Sequence, residues 1–170
     1  MFGKEWTPIE GFDAYTFDGG KEEGFEIKGL TAPLFGTTSA TIKNLKLEGV
    51  NIVTNDASIM GALACTVIAT NSVVPVIEGC SVSGTLTVNN QTFTPVGDSS
   101  ANELVYAGLV GRMIGGTINN CENKVAVTVD HLTAKDNAAS VYPFVSGIAG
   151  YLAEHTKADG EKVYGHITNC

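Results

Sequence analysis

Four copies of one short phrase constrain this chain more than anything else in it. They are Ile42-Lys43-Asn44-Leu45, Ile77-Glu78-Gly79-Cys80, Ile118-Asn119-Asn120-Cys121 and Ile167-Thr168-Asn169-Cys170, with a degenerate copy at Ile27-Lys28-Gly29-Leu30. A second phrase precedes each full copy: Leu34-Phe35-Gly36, Leu63-Ala64-Cys65, Gly108-Leu109-Val110-Gly111 and Gly147-Ile148-Ala149-Gly150. After the first three copies comes an alternating run, Leu45–Val53, Cys80–Val88 and Cys121–Val129. The order never changes. The isoleucines stand 35, 41 and 49 residues apart, and the slack falls between the phrases. The step from second phrase to isoleucine is 6 residues from Gly36, 12 from Cys65, 7 from Gly111 and 17 from Gly150. Constant phrases on elastic linkers mark a stacked repeat, in which an insertion leaves the repeating unit untouched.

The phrases predict strands. Cys80, Val82, Leu86 and Val88 alternate with Ser81, Ser83, Thr85 and Thr87, and Val125, Val127 and Val129 with Lys124, Ala126 and Thr128. Period two means one buried face and one wet face. Composition agrees: Val, Ile and Thr make up 46 of 170 residues, and there are 20 glycines. Such a mixture suits pleated strands and glycine turns and makes poor helices. Ala57–Thr70 and Ala101–Met113 are rich enough in small and apolar residues to suggest helix, but each contains the second phrase, and equivalent repeats share a fold. Both are expected as strands. Val88–Asn102 and Asp130–Pro143, with their Thr, Pro, Asn, Ser and Asp, are expected as long loops.

The residue before each Leu or Cys is Gly29, Asn44, Gly79, Asn120 or Asn169. Glycine and asparagine share a tolerance for positive φ, which predicts a left-handed bend at one point of every turn, with Asn side chains free to stack. The next residue then points inward onto its equivalent about 4.8 Å away. The expected fold is all-β: a right-handed parallel β-helix, or β-solenoid, of about four irregular rungs, its hand set by the crossover rule. One domain spans residues 1–170, with residues 1–26 as an N-terminal cap and 27–170 as repeats. A β-sandwich is the alternative, but it does not account for identical phrases at identical turns. Because the sequence stops on the last letter of a phrase, where a bare rung would expose backbone groups, a fragment of a longer chain is expected, or a covered end.

Net charge is −8 with Arg112 as the only arginine, which disfavours nucleic acid and anionic membrane surfaces. Ala57–Ile77 and Asn137–Ala153 lack charged residues, but Thr, Asn and Ser interrupt them, so no membrane span is expected. The first residues lack the basic start and apolar run of a signal peptide. Cys65, Cys80, Cys121 and Cys170 form no CxxC pair and have no histidine beside them, so a zinc site is not expected. Cys80 and Cys121 are read as small buried hydrophobes, with a disulfide between neighbouring rungs left open.

The opening residues resemble the GLUG-motif β-solenoid proteins of bacterial surfaces. Trp6-Thr7-Pro8-Ile9, Phe12, Phe17-Asp18-Gly19, Ile27-Lys28-Gly29-Leu30, Leu34-Phe35-Gly36 and Ile42-Lys43-Asn44-Leu45 carry the likeness, and the later phrases look like further repeats of that type. The inserted Gly20-Lys21-Glu22-Glu23-Gly24 and Cys65 in place of Gly depart from it. The resemblance implies an extracellular or cell-surface location and an adhesin-like, structural or display role, and it carries no catalytic residues.

Enzymatic polysaccharide chemistry on a parallel β-helix would need clustered carboxylates or an anion-stabilising Lys or Arg. The charged strand residues Lys43, Lys46, Glu48, Glu78, Glu122 and Lys124 instead fall in mixed columns: Lys43 over Glu78, and Glu48, Ser83 and Lys124 together. No column is expected to gather two carboxylates. No catalytic, cofactor or metal residue is assigned, and the chain is read as a non-enzyme without cofactors. An accessory or degenerate carbohydrate-active β-helix is the alternative. His131, His155 and His166 lie in loops or at a strand start, and Glu154, His155 and His166 would meet only if the last linker folds back. Asp13 and Asp18 are read as turn residues. The loop aromatics Phe93, Tyr106, Tyr142, Phe144, Tyr151 and Tyr164 are candidate contacts for a glycan or a surface protein, and the outer strands could accept another chain by strand addition.

Overall fold

A computed structural model describes residues 6–13, 15–20, 25–55, 57–89, 92–93, 104–130, 133–134 and 143–170. Among them the chain is all-β, with no helix, and its main sheets are parallel. The recurring isoleucines sit in a five-stranded sheet of β1 (Thr16–Asp18), β4 (Thr41–Lys43), β8 (Val76–Glu78), β13 (Gly116–Asn119) and β20 (Gly165–Thr168). Phe17, Ile42, Ile77, Ile118 and Ile167 pair in register down this sheet. The alternating runs form a long-stranded sheet of β2 (Phe25–Lys28), β5 (Leu45–Thr54), β9 (Ser81–Asn89) and β14 (Glu122–Asp130). The second phrases supply β3 (Phe35–Thr38), β7 (Ala64–Ile68), β12 (Val110–Ile114) and β17 (Ala149–Ala153). A short sheet of β6 (Ile59–Gly61), β11 (Val105–Ala107) and β16 (Phe144–Ser146) leads into them.

The chain visits these sheets in one order: isoleucine sheet, long sheet, short sheet, second-phrase sheet, and back. Strands adjacent in space are thus about one repeat apart in sequence, a parallel arrangement compatible with a β-helix. Ala57–Thr70 and Ala101–Met113 supply strands, because glycine-flanked bends divide each of them into pieces too short for a helix. Parts of the two expected loops are ordered too. β10 (Thr92–Phe93) and β15 (Thr133–Ala134) pair in parallel as a separate two-stranded sheet.

The bends rest on backbone conformation. Asn44, Asn120 and Asn169 have φ of 51°, 50° and 54°, and Gly79 has 63°. Each of the first three bend residues donates its N–H across to the next turn: Asn44 to Glu78 O, Gly79 to Asn119 O and Asn120 to Thr168 O. Gly29 also has positive φ, 67°, but it belongs elsewhere. Ile27 and Lys28 pair with Leu47 and Glu48 on the long sheet, so the degenerate phrase is not a copy of the isoleucine phrase. Phe17-Asp18-Gly19 takes that place, and Gly29 follows Lys28 as Gly49 follows Glu48. Gly49 (φ 62°) marks a bulge where the β5–β9 register slips between Leu47 and Val50. A Cβ on the facing Gly84 would lie 2.1 Å from Val50 O, so only glycine fits there.

Leu45, Leu47, Val50, Ile52, Ile77, Leu86, Leu104, Leu109, Met113 and Ile118 are among the buried residues of one continuous core. At its N-terminal end Phe35 stacks on Phe12 (ring centroids 5.7 Å) and meets Phe17 edge-on at 5.9 Å. Ile9 and Phe12 already bridge to Phe35 and Thr38, and β1 and β2 lie on the sheets. Parallel pairing therefore begins well before residue 27.

Candidate functional site

The expected ligand-contact aromatics divide by position in the stack. Tyr106 is a correction: it is fully buried, and its hydroxyl donates to Ala57 O at 3.0 Å. It stands mid-sheet between Met60 of β6 and Val145 of β16, where neighbours on both sides cover it, and burial pushes its phenol up to about 12. Tyr142 lies outside the described residues, and Phe93 is known only as part of β10. Phe144 and Tyr151 come together, ring centroids 6.0 Å apart, with Phe144 46% exposed. Tyr164, 53% exposed, lies just before β20.

Strands β16, β17, β20 and β14 are the last members of their sheets, and of the candidate aromatics Phe144, the half-buried Tyr151 and Tyr164 lie on or beside three of them. The columns show why. Ile118 is buried while Ile167, one strand further, is 38% exposed, and Met113 is buried while Leu152 beyond it is 39% exposed. Among the described residues no further strand covers them. The same end therefore presents apolar side chains and unpaired backbone edges together.

The outer face of the long sheet is charged and paired with itself. Lys28 Nζ lies 2.8 Å from both Glu26 and Glu48, and Lys46 Nζ lies 2.6 Å from Glu26. The ammonium of Lys28, then that of Lys46, holds the exposed Glu26 carboxyl down at about 2. Lys43 bonds Glu78 at 2.9 Å, as their shared column predicts, and Lys124 bonds Glu122 at 2.8 Å. One expectation fails twice: Glu26, Lys46, Ser81 and Glu122 form one column and Asp18, Lys43 and Glu78 another, so two columns each hold two carboxylates. With residues 1–26 expected as a cap and Ile27-Lys28-Gly29-Leu30 as an isoleucine phrase, Glu26 has no expected place on the long sheet, where it pairs with Lys46. Three strand spacings, roughly 14 Å, separate Glu26 from Glu122, beyond the ~5–9.5 Å of glycoside-cleaving carboxylates, while in the second column Lys43 stands between Asp18 and Glu78 and bonds Glu78.

The last linker does fold back, as an antiparallel hairpin of β18 (His155–Thr156) and β19 (Lys162–Val163). It directs Glu154 to Lys162 at 2.7 Å, while His166 stands on β20 opposite Thr117. Among the described residues no three metal-binding side chains cluster. His131 lies outside them. Asp13 and Asp18 serve turns: Asp13 Oδ1 accepts from Ser39 N at 2.8 Å, and Asp18 Oδ1 from Gly20 N and Asn44 Nδ2, both at 2.9 Å. All four cysteines are free thiols. Cys80, Cys121 and Cys170 repeat one geometry, each thiol reaching the carbonyl two residues back and that of an isoleucine one turn below.

Sequence reasoning placed Trp6 in the cap and gave it no further role. Its indole N–H donates to Pro33 O at 2.9 Å, and its ring, 36% exposed, lines a cleft of about 420 Å³ with Thr31, Ala32, Asn51 and Val53. The phrase pattern gives no hint of this cleft, because it joins residues from three separate segments. Comparisons with protein-family models, with curated proteins and with solved structures find no match for the chain.

Proposed function

We propose that this chain is a right-handed parallel β-helix of about four rungs, serving as a non-enzymatic scaffold of the adhesin or display type at a cell surface or outside the cell. The single observation that carries the reading is the constant order of sheets joined at Asn44, Gly79 and Asn120 by the same left-handed bend, which Asn169 repeats after the last strand. A coil of that kind commits its inward residues to one column-packed core and its outward ones to a regular lattice about 4.8 Å apart, which is suited to holding binding groups at fixed spacing. Handedness follows from the strong preference for right-handed parallel crossovers, and the four isoleucines from Ile42 to Ile167 count the rungs. The surface location rests on the GLUG resemblance.

The test is binding of the purified protein to arrays of glycans, matrix proteins and bacterial surfaces, with immunolabelling of intact cells. Saturable binding and surface labelling are expected. Silence across the arrays would sink the adhesin role, and labelling only after permeabilisation would sink the location. The carbohydrate-active alternative predicts depolymerisation of a uronate-containing glycan; the separation of Glu26 from Glu122, and the lysine set between Asp18 and Glu78, support the expectation of none.

A further inference from the structure

From the cleft at Trp6 we infer a binding site for a neutral carbohydrate, with the indole face as its stacking platform. The site stands on its own geometry and is independent of the scaffold proposal. Its construction is local. Asn51 N donates to Leu30 O at 2.8 Å, pinning the segment that carries Thr31 and Ala32 against β5. Trp6 is tied to the same segment through its N–H···O bond to Pro33. The ring is therefore held in place before any ligand arrives, which lowers the ordering cost of binding. Its one polar atom is already committed, so it offers a ligand only its π face.

Polar groups complement that face. Asn51 Oδ1 accepts from Thr85 Oγ1 at 3.1 Å, which orients the carboxamide and leaves its nitrogen, with two donors, for a ligand. Thr31 adds a hydroxyl that donates or accepts, while Val53, 54% exposed, and Ala32 add apolar surface. Among the described lining residues none is charged. An ionic ligand would lose hydration without meeting a counter-charge among the described lining residues, and a wholly apolar one would leave Asn51 and Thr31 unpaired. A pyranose ring fits both demands, with a C–H face for the indole and hydroxyls for the amide and threonine. A cleft of about 420 Å³ lies at the small end of the ~300–1,000 Å³ range for such sites.

Trp6 is the only tryptophan beside 5 tyrosines, so fluorescence of the full chain under tryptophan-selective excitation reports on this site alone. The chain is titrated with cellotriose, maltotriose, xylotriose, laminaritriose and N,N′,N″-triacetylchitotriose, and with trigalacturonate and hexaproline as charged and peptide competitors. A saturable shift with at least one neutral sugar at about millimolar concentration is expected, well ahead of both competitors. Asn51→Ala, an exposed change that leaves the ring in place, is expected to weaken it roughly fivefold, with an unchanged far-UV spectrum. No response to any neutral sugar overturns the site, as does an equal response to trigalacturonate or hexaproline, or an affinity indifferent to Asn51→Ala. Array binding in cells can fail while this titration succeeds, and the reverse, so the two proposals fall separately.

Discussion

At the scale of single residues, the bend positions show what a repeat demands. Asn44 and Asn120 have nearly the same φ but different surroundings. The Asn44 amide donates to Asp18, whereas Asn120 is exposed and needed mainly for its backbone. Asn120→Ala should therefore cost about 1 kcal/mol, because the short polar side chain that eases Asn into the left-handed region is lost while the Cβ remains, whereas Asn120→Gly stays within about 0.5 kcal/mol of the parent. Urea unfolding of both variants checks this, and an alanine variant as stable as the glycine one would refute it. Asn and Gly before each inward Leu or Cys made these bends legible in the sequence, because few residues enter that region without strain. Gly29 shows the limit: it shares the conformation but follows a different strand, and residue type cannot distinguish one left-handed bend from another. Tyr106 shows another. An aromatic near a predicted loop reads as accessible until the strands on either side of it are known.

At the scale of elements, the ion pairs of β2 and β5 tie the first strand of the long sheet to the second. Glu26 has a folded pKa of about 2 against 4.5 for the free side chain. Its stabilisation is therefore present above pH 4.5 and is lost as pH falls from there towards 2. Because the group is exposed, the effect is screened by salt. Urea midpoints of the parent and Glu26→Gln should differ at pH 7 in low salt and converge both at pH 2 and in 1 M NaCl. A difference that persists at pH 2 would mean that packing, not charge, links these strands. Lys43 over Glu78 was readable from the phrase register. The network around Glu26 was not, because Ile27-Lys28-Gly29-Leu30 reads as an isoleucine phrase while its strand pairs on the long sheet. Gly49 likewise moves the inward set from Leu45 and Leu47 to Val50 and Ile52, a change of phase that simple alternation does not encode.

At the scale of the whole molecule, parallel pairing leaves the interior strands flanked on both sides and the last of each sheet on one. Native-state hydrogen exchange should place the amides of β8, β9, β12 and β13 near the global unfolding free energy, about 5 kcal/mol or more, and those of β16 and β20 well below it. Uniform protection would show that the exposed edges are covered in solution. The class of local structure, the left-handed bends and the inward columns away from the Gly49 bulge were legible in the order of residues, because alternation, β-branching and Asn or Gly at a bend are properties of consecutive residues. Which strands become neighbours was decided only by the tertiary structure. That choice put Glu26 and Glu122 in one column, buried Tyr106, exposed Phe144 and Tyr164, and brought Trp6, Thr31 and Asn51 around one cleft. Residues so far apart in the chain meet only after the whole core has selected its register, and no pattern within a single repeat carries that information.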